Sequence, residues 1–308
     1  MSFAVIALNQ ILIMFIIIII GVICFKVKLI DKDTNRRLSD IVLMLVNPVV
    51  IFISYQREFN ATLLKGLLIS LVFATITHAF GIALSYLLLR KKKHVDDIGI
   101  ERYAIVYSNC GFMGIPLVNG IFGSEGVFYL TAYMTIFNLL VWTHGVIIMT
   151  GKKDKKTITN ALLSPSIIAT VLGFLLFVLR IEFPNILLKS LDYVGGMNTP
   201  LAMIAAGVTI AQTNLIKALR NLRIYYICFL KLLVIPIAML LLFSCFEIDE
   251  TIIITSVLLA ACPTGAIGTL FAIKFGKNAL YASEIFAVTT ILSMITIPLI
   301  MALAGYLV

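Results

Sequence analysis

The chain has 308 residues, of which 61% are hydrophobic and 13% are charged, and its formal net charge is +9. A soluble domain is nearer half apolar and a quarter charged, so this composition excludes a water-soluble globule. The apolar stretches are too long and continuous for the ~10-residue alternating strands of a membrane barrel, so we predict an all-α polytopic membrane protein.

Ten apolar stretches predict ten transmembrane helices, because about 20 apolar residues cross a bilayer. In chain order they are residues 4–25, 38–55, 63–89, 103–122, 126–149, 162–180, 187–212, 222–246, 251–273 and 279–307. The first stretch lacks the basic start and the small-residue cleavage site of a signal peptide, so we predict a retained helix.

The basic residues are distributed unevenly among the loops. If the ten spans alternate in direction, 19 of the 24 Lys and Arg residues fall on one side, four fall on the other, and Lys231 lies inside a span. The positive-inside rule then places the basic loops, including 91–100 and 152–157, in the cytoplasm and both termini outside the cell membrane. Topology accounts for the basic charge, so we predict no nucleic-acid partner. The five cysteines lie in apolar spans without a C-x-x-C spacing, which predicts neither a disulfide framework nor a metal site.

The two halves of the chain resemble each other at an offset of 152 residues. The offset matches Asp40 with Asp192, Pro48 with Pro200, Lys65 with Lys217, Cys110 with Cys262, Pro116 with Gly268 and, after a slip of one residue, Phe122-Gly123 with Phe275-Gly276. We therefore predict a duplication, with one five-helix repeat over 1–154 and a second over 155–308. Five spans per half force the second repeat into the membrane upside down, and inverted repeats of this kind are typical of secondary transporters.

Spans four and nine are interrupted at corresponding positions. Residues 108–116 and 260–268 each contain two glycines and a proline in mid-span, which weaken or break a helix. In hydrocarbon a broken backbone is tolerated only where protein or a watery cavity satisfies it, so the breaks predict a site. Half-helices that begin near Pro116 and Gly268 would direct their positive ends to the midplane and favour an anionic group. A pair of ordinary kinks is the alternative.

The motif in span four resembles that of a known family. The run Asn109-Cys110-Gly111-Phe112-Met113-Gly114-Ile115-Pro116-Leu117, followed by Phe122-Gly123, resembles the fourth-helix motif of the auxin efflux carrier family. This family includes plant PIN proteins and bacterial permeases, some of which handle malate or malonate. The run Cys262-Pro263-Thr264-Gly265, the pair Phe271-Ala272 and Pro298 are also similar to the family.

The resemblance implies ten transmembrane helices in two inverted five-helix repeats with broken, crossing helices four and nine, as in sodium-proton antiporters and bile-acid transporters. It implies a scaffold of spans 1, 2, 6 and 7 and a transport unit of spans 3 to 5 and 8 to 10. Asn109 would contact a substrate carboxylate, and Pro116 would mark the crossing. The chain departs from plant PIN proteins at Gly268, where they have a second proline, and in its short loop after span five. A bacterial organic-anion carrier therefore fits better than an auxin carrier.

The candidate substrate-binding residues belong to the two breaks and to span five. They are Asn109, Cys110, Gly111, Gly114, Pro116, Pro263, Thr264, Gly265, Gly268 and Asn138. The alternative for Asn109 is an ordinary hydrogen bond between helices.

Ionisable side chains inside spans are costly and mark function by default. His78, Lys231 and Glu284 are therefore candidates for charge or coupling roles, while hydrogen-bonded packing is the alternative for His78 and for His144. Three hypotheses stay open for Lys231: it pairs with Glu284, it offers a free cation to the substrate, or both side chains reach out to water.

These features predict a secondary active transporter, a permease or efflux carrier for a small organic anion such as a carboxylate, that works by alternating access without a cofactor. A channel, a sensor and a cation-coupled antiporter of similar fold are the alternatives. The chain lacks H-E-x-x-H, G-x-S-x-G and a carboxylate pair, which argues against an enzyme. The predicted partners are the anion, a coupling H⁺ or Na⁺ and membrane lipid, with a homodimer left open.

Overall fold

The computed structural model describes residues 3–89, 97–151 and 163–308, and these residues form helices and their connections. We number the helices of the described residues in chain order: α1 (Phe3–Lys26), α2 (Lys32–Ser54), α3 (Ala61–Leu88), α4 (Ile98–Val106), α5 (Cys110–Thr150), α6 (Pro165–Leu179), α7 (Asn185–Ala211), α8 (Leu215–Leu219), α9 (Leu222–Phe243), α10 (Glu250–Ala261), α11 (Ile267–Lys274) and α12 (Ala279–Leu307). The predicted boundary between the repeats, the predicted loop 152–157 and most of 91–100 lie outside the described residues.

Seven of these helices are long and apolar enough to cross a membrane: α1, α2, α3, α5, α7, α9 and α12. Large apolar side chains cover their outer faces, as at Ile16 on α1, which is 61% exposed, and Ile295 on α12, which is 63% exposed. Water would make such a surface costly, whereas lipid does not. The chain is therefore a multi-pass integral membrane protein.

The other predicted spans fall on shorter or divided helices. Span 162–180 falls on α6, which has 15 residues. Spans 103–122 and 251–273 are each divided by a break, and span 126–149 is the second part of α5. Gly123, at φ 61° and ψ −149°, bends α5 before that second part, in a backbone region that is essentially restricted to glycine.

The prediction for the second span began six residues too late, because it started at 38 and α2 starts at Lys32. Asp31 caps this helix, and its carboxylate accepts a hydrogen bond from the Thr34 backbone N–H at 2.8 Å. That hydrogen bond lowers the pKa of Asp31. The first turns of α2 are polar, so a prediction from apolar length alone leaves them outside the span. The capping residue Asp31 starts the helix before the apolar residues begin.

Three helices contain a wide π turn directly before a proline. Val42–Val46 precedes Pro48, Cys110–Gly114 precedes Pro116, and Leu230–Val234 precedes Pro236. Proline lacks an N–H and its ring collides with the carbonyl one turn back, so a wider turn at that point lets the helix continue past it. These prolines therefore shape helices without ending them.

Small residues bring α1 and α7 into close contact. A Cβ added at Gly207 would meet the backbone oxygen of Ile18 and lie 3.0 Å from the Cα of Gly21. A Cβ added at Gly21 would lie 2.9 Å from the Cα of Ile204. Close backbone approach through small residues is a main source of helix association in lipid. These two helices therefore form a tightly packed unit.

The core of the molecule surrounds α10. This helix has 12 residues, and every residue from Ile252 to Ala261 is buried. The helix packs against α3, α5, α9 and α12, so its last turn ends inside the protein and the break that follows is shielded from lipid.

Candidate functional site

Two helix breaks lie in the middle of the molecule. In the first, α4 ends at Val106, Tyr107 takes an extended conformation, and helical structure resumes at Cys110. In the second, α10 ends at Ala261 and α11 begins at Ile267. Both breaks overlap the predicted interruptions. The second half-helix begins beside Gly268 as predicted, but the first begins six residues before Pro116, because the π turn carries the helix through that proline.

The two breaks hydrogen-bond to each other. Ser108 and Thr264 form an isolated antiparallel bridge. The Asn109 N–H donates to the Pro263 carbonyl at 2.7 Å, and the Gly265 N–H donates to the Tyr107 carbonyl at 2.9 Å. Each break thereby satisfies backbone groups that the other leaves free, as a membrane interior requires.

We call residues 107–109 and 262–266 the crossing. Pro116, which the family resemblance implies as its marker, lies seven residues further along α5 and is buried inside that helix. The bridge at Ser108 is where the two breaks meet, and the role of Pro116 as the marker stays a prediction.

Asn109 offers an unused hydrogen-bond donor at the crossing. Its side chain is 5% exposed, and its Nδ2 is buried without a partner among the described residues. A buried amide donor is costly when unpaired, so such groups are normally matched by an acceptor. A carboxylate oxygen would supply one.

Lys231 on α9 supplies a buried cation beside Asn109. Its Nζ donates to Ser108 Oγ at 2.5 Å and to the Ala260 carbonyl at 3.3 Å, and the residue is 1% exposed. An ammonium group has three donors, so these two bonds leave one unused. The Ala260 carbonyl belongs to the last turn of α10, where the helix dipole favours a cation.

The hypothesis that Lys231 pairs with Glu284 is wrong. Within the described residues Lys231 contacts no carboxylate, and the ion pair found there joins Arg223 to Glu101 at 2.6 Å. The free carbonyl at the end of α10 and the Ser108 hydroxyl attract the ammonium toward the crossing. Glu284 lies instead in a cavity at the end of the molecule, near Lys217.

His78 packs against the crossing from α3. Its Nδ1 donates to the Ala74 carbonyl at 2.8 Å, which fits the packing alternative. Its ring centroid is 4.8 Å from that of Tyr133, whose hydroxyl lies 3.4 Å from Ser108 Oγ. Tyr133 therefore connects His78 with the Ser108 hydroxyl that Lys231 binds.

His144 joins the first break to α5. Its Nδ1 lies 2.8 Å from the hydroxyl of Tyr107, and that hydroxyl donates to the Leu140 carbonyl at 2.9 Å. The hydroxyl proton is committed to the carbonyl, so the His144 Nδ1 is the donor in the other bond. This arrangement fits the packing alternative for His144.

The predicted glycines of the site serve close packing. A Cβ at Gly111 would lie 2.7 Å from Asn47 Nδ2, one at Gly114 would lie 2.6 Å from Leu259, and one at Gly268 would lie 2.8 Å from the Tyr103 ring. Cys110, Pro263, Thr264 and Gly265 are buried at the crossing or directly beside it. Asn138 is buried on α5 and makes no hydrogen bond with the described residues of the crossing.

A buried amide pair next to the crossing was missed in the sequence. Asn198 Nδ2 donates to Asn47 Oδ1 at 2.6 Å, and both residues are buried. Asn47 follows the π turn of α2, and Asn198 follows an interruption of α7 at Met197. The Asn198 Oδ1 has no partner among the described residues. The sequence did contain a signal for this pair. The repeat offset matches Pro48 with Pro200, and these prolines follow Asn47 by one residue and Asn198 by two.

A multi-pass helical protein whose broken helices meet around buried, incompletely paired donors is built as a membrane transport protein. A family model described as "Membrane transport protein" matches residues 6–161 and 154–301. The chain belongs to this family, the auxin efflux carrier family, as the motif at Asn109 predicts.

Similar proteins in other organisms are transporters by name. The chain is 25% identical to an uncharacterized transporter of Methanothermobacter thermautotrophicus, over 92% of this chain and 94% of that protein. It is 25% identical to a provisionally named malonate transporter of Rhizobium meliloti, over 84% of each. It is 23% identical to an uncharacterized transporter of Escherichia coli, over 92% of this chain and 93% of that protein.

Proposed function

We propose that this protein is a secondary transporter that carries a small carboxylate across the cell membrane, with the anion bound at the crossing. One observation carries the proposal: among the described residues Asn109 Nδ2 has no hydrogen-bond partner, and Lys231, which binds the neighbouring Ser108, makes two of the three hydrogen bonds open to its ammonium group. A carboxylate would pair with both and would neutralise the buried ammonium. The provisional name of the Rhizobium relative makes malonate the first anion to try.

Alternating access by two inverted five-helix repeats, 1–154 and 155–308, explains how such a site opens to each side in turn. Three features support the duplication. The breaks fall in both halves, Asn47 and Asn198 pair across the halves, and the matched glycines Gly123 and Gly276 have φ values of 61° and 62°. In this proposal ten segments cross the membrane, with α6 and the divided helices among them.

The asparagine pair belongs to the proposed scaffold, whereas Asn109 and Lys231 belong to the proposed transport unit. The substrate would therefore bind where the two units meet, and its carboxylate would face donors from the moving side. The basic loops would face the cytoplasm, and both termini would face outside.

Counterflow in proteoliposomes tests the proposal. Vesicles preloaded with malonate, malate or acetate receive a trace of the same labelled anion outside, and a carrier then accumulates the label transiently by exchange. We expect counterflow with at least one of these anions, and we expect Lys231→Met to weaken its apparent affinity roughly 10- to 150-fold, the range for a hydrogen bond to a charged group. The matched control is Lys65→Met, because Lys65 is exposed near the start of α3.

The outcomes separate the classes of protein. Equal transport by Lys231→Met and by the wild type would remove the ammonium from the site. Unsaturable flux without counterflow would indicate a channel, and binding without flux would indicate a sensor.

A further inference from the structure

A cavity of about 390 Å³, with polar and charged residues among those that line it, lies at one end of the molecule, away from the crossing. Residues of α4, α8, α9 and α12 and of their connections line it, on the side where the positive-inside rule places the cytoplasm. The titratable groups that line it are Asp97, Glu101, Lys217, Arg223, Tyr281 and Glu284.

Most of these groups already have partners. Arg223 donates to both carboxylate oxygens of Glu101, at 2.9 and 2.6 Å, and the Tyr281 hydroxyl donates to Glu101 at 3.0 Å. Asp97 accepts a hydrogen bond from the Asn278 amide at 3.3 Å. The bidentate geometry makes Glu101 the anion that Arg223 neutralises.

Glu284 differs from these groups, and unlike the exposed Lys217 it is buried. It is 4% exposed, and its Oε1 is buried without a hydrogen-bond partner among the described residues. Arg223 is committed to Glu101, and Lys217 interacts with Glu284 only at a distance, without an ion pair. An ionised carboxylate is expensive in such a place unless it is paired, whereas the protonated acid is not.

We propose that Glu284 binds the proton that is coupled to anion transport, and that in this state of the carrier the proton reaches Glu284 through this cavity. This inference rests on the proposed function. In the binding step a proton from water in the cavity forms an O–H bond with the Glu284 carboxylate. In the release step, after the transport unit has moved to its other state, the same bond breaks and the proton passes to water on the opposite side, so that one proton crosses the membrane with each anion.

Three of the helices that line the cavity, α4, α9 and α12, also lead to the crossing or contact it. Glu101 and Ser108 are on or directly after α4, Arg223 and Lys231 are both on α9, and Glu284 and Thr289 are both on α12. The Thr264 N–H lies 3.4 Å from Thr289 Oγ1. Five residues of helix separate Glu284 from that contact, about 8 Å along the axis. A change of charge at Glu284 therefore acts on a rigid helix that touches the second break.

The experiment uses the full chain in proteoliposomes, with the membrane potential clamped at zero and labelled malonate as the probe. Exchange of malonate at equal pH reports the carrier itself, and net accumulation under a pH gradient reports the coupling. For one proton per anion we expect the accumulation ratio to change about tenfold for each pH unit. Glu284→Gln should retain exchange and lose the response to pH, and Glu284→Asp should retain both.

Glu250→Gln is the matched control, because Glu250 is exposed at the start of α10. A second readout is independent of transport. The infrared spectrum of the purified wild type at neutral pH should contain a protonated carboxyl band that Glu284→Gln removes and Glu250→Gln keeps.

The outcomes are distinct. Absence of exchange with malonate, malate and acetate would overturn the proposed function, and this inference with it. Exchange that ignores the pH gradient, a pH response that persists in Glu284→Gln, or a missing infrared band would overturn the inference alone. Accumulation driven by a sodium gradient and lost in Glu284→Gln would assign the residue to sodium and contradict the proton.

Discussion

At the scale of single residues, two buried donors of different chemistry define the candidate site. Asn109 supplies a neutral amide and Lys231 supplies a charge, and Lys231 binds the hydroxyl of Ser108, which precedes Asn109 in the chain. The unpaired amide is costly but neutral, whereas the charged ammonium depends on the Ser108 hydroxyl and the end of α10 until an anion arrives. Loss of the Asn109 amide and loss of the Lys231 charge should therefore have different effects on anion binding.

Asn109→Ala should weaken malonate binding by about 1–3 kcal/mol, because a carboxylate oxygen in the site would lose its partner. Asn109→Asp should be worse, since two negative charges would meet in a low-dielectric environment. Folding should survive in both variants, because only the backbone of Asn109 is bonded to Pro263. Binding of labelled malonate to purified protein measures the effect. Equal and undiminished binding by both variants would remove Asn109 from the site.

At the scale of helices, glycine packing fixes how α1 meets α7. Gly207→Ala would press a methyl group against the Ile18 backbone oxygen, and overpacking of this kind typically costs about 1–3 kcal/mol. Gly196 lies on the same helix, and a Cβ there would meet nothing within 4 Å. Gly196→Ala is therefore the control. We expect a lower thermal midpoint for Gly207→Ala only, and equal midpoints for the two variants would contradict the close approach of the helices.

The helices themselves follow from local sequence. Apolar length predicts the long helices, and clustered glycine and proline predict both breaks, because these residues act on the backbone within one turn. The start of the first half-helix at Cys110 was not predictable in this way. Whether a proline ends a helix or is absorbed by a π turn depends on the surrounding packing, and three prolines here are absorbed.

The candidate site was also predicted only in part, because its contacts depend on the packing of distant parts of the chain. Asn109 was found through its motif, and Lys231 through the cost of its charge in a span. The contact of Lys231 with Ser108 and the pair of Asn47 with Asn198 join residues more than 100 positions apart. Depth along a helix suggested Glu284 as the partner of Lys231, but depth contains no information on which way each side chain turns about the helix axis.

At the scale of the whole molecule, one architecture accounts for the separate features. Two inverted repeats would give each break a counterpart, so that each crossing segment satisfies the other's backbone. The same symmetry would allow two states of similar energy, one open to each side. Substrate binding between the proposed scaffold and transport unit would then link the buried donors to movement, and the cavity at Glu284 would lie at one end of the transport unit.

The most direct test of the central claim is a crystal structure of the protein with bromomalonate, whose bromine locates the anion by anomalous scattering. The account predicts a bromine peak at the crossing, with a carboxylate bonded to Asn109 Nδ2 and Lys231 Nζ, and no such peak in Lys231→Met. A peak confined to the cavity beside Arg223, or to a second cavity that Arg57 and Arg180 line, would contradict an anion site between the two breaks.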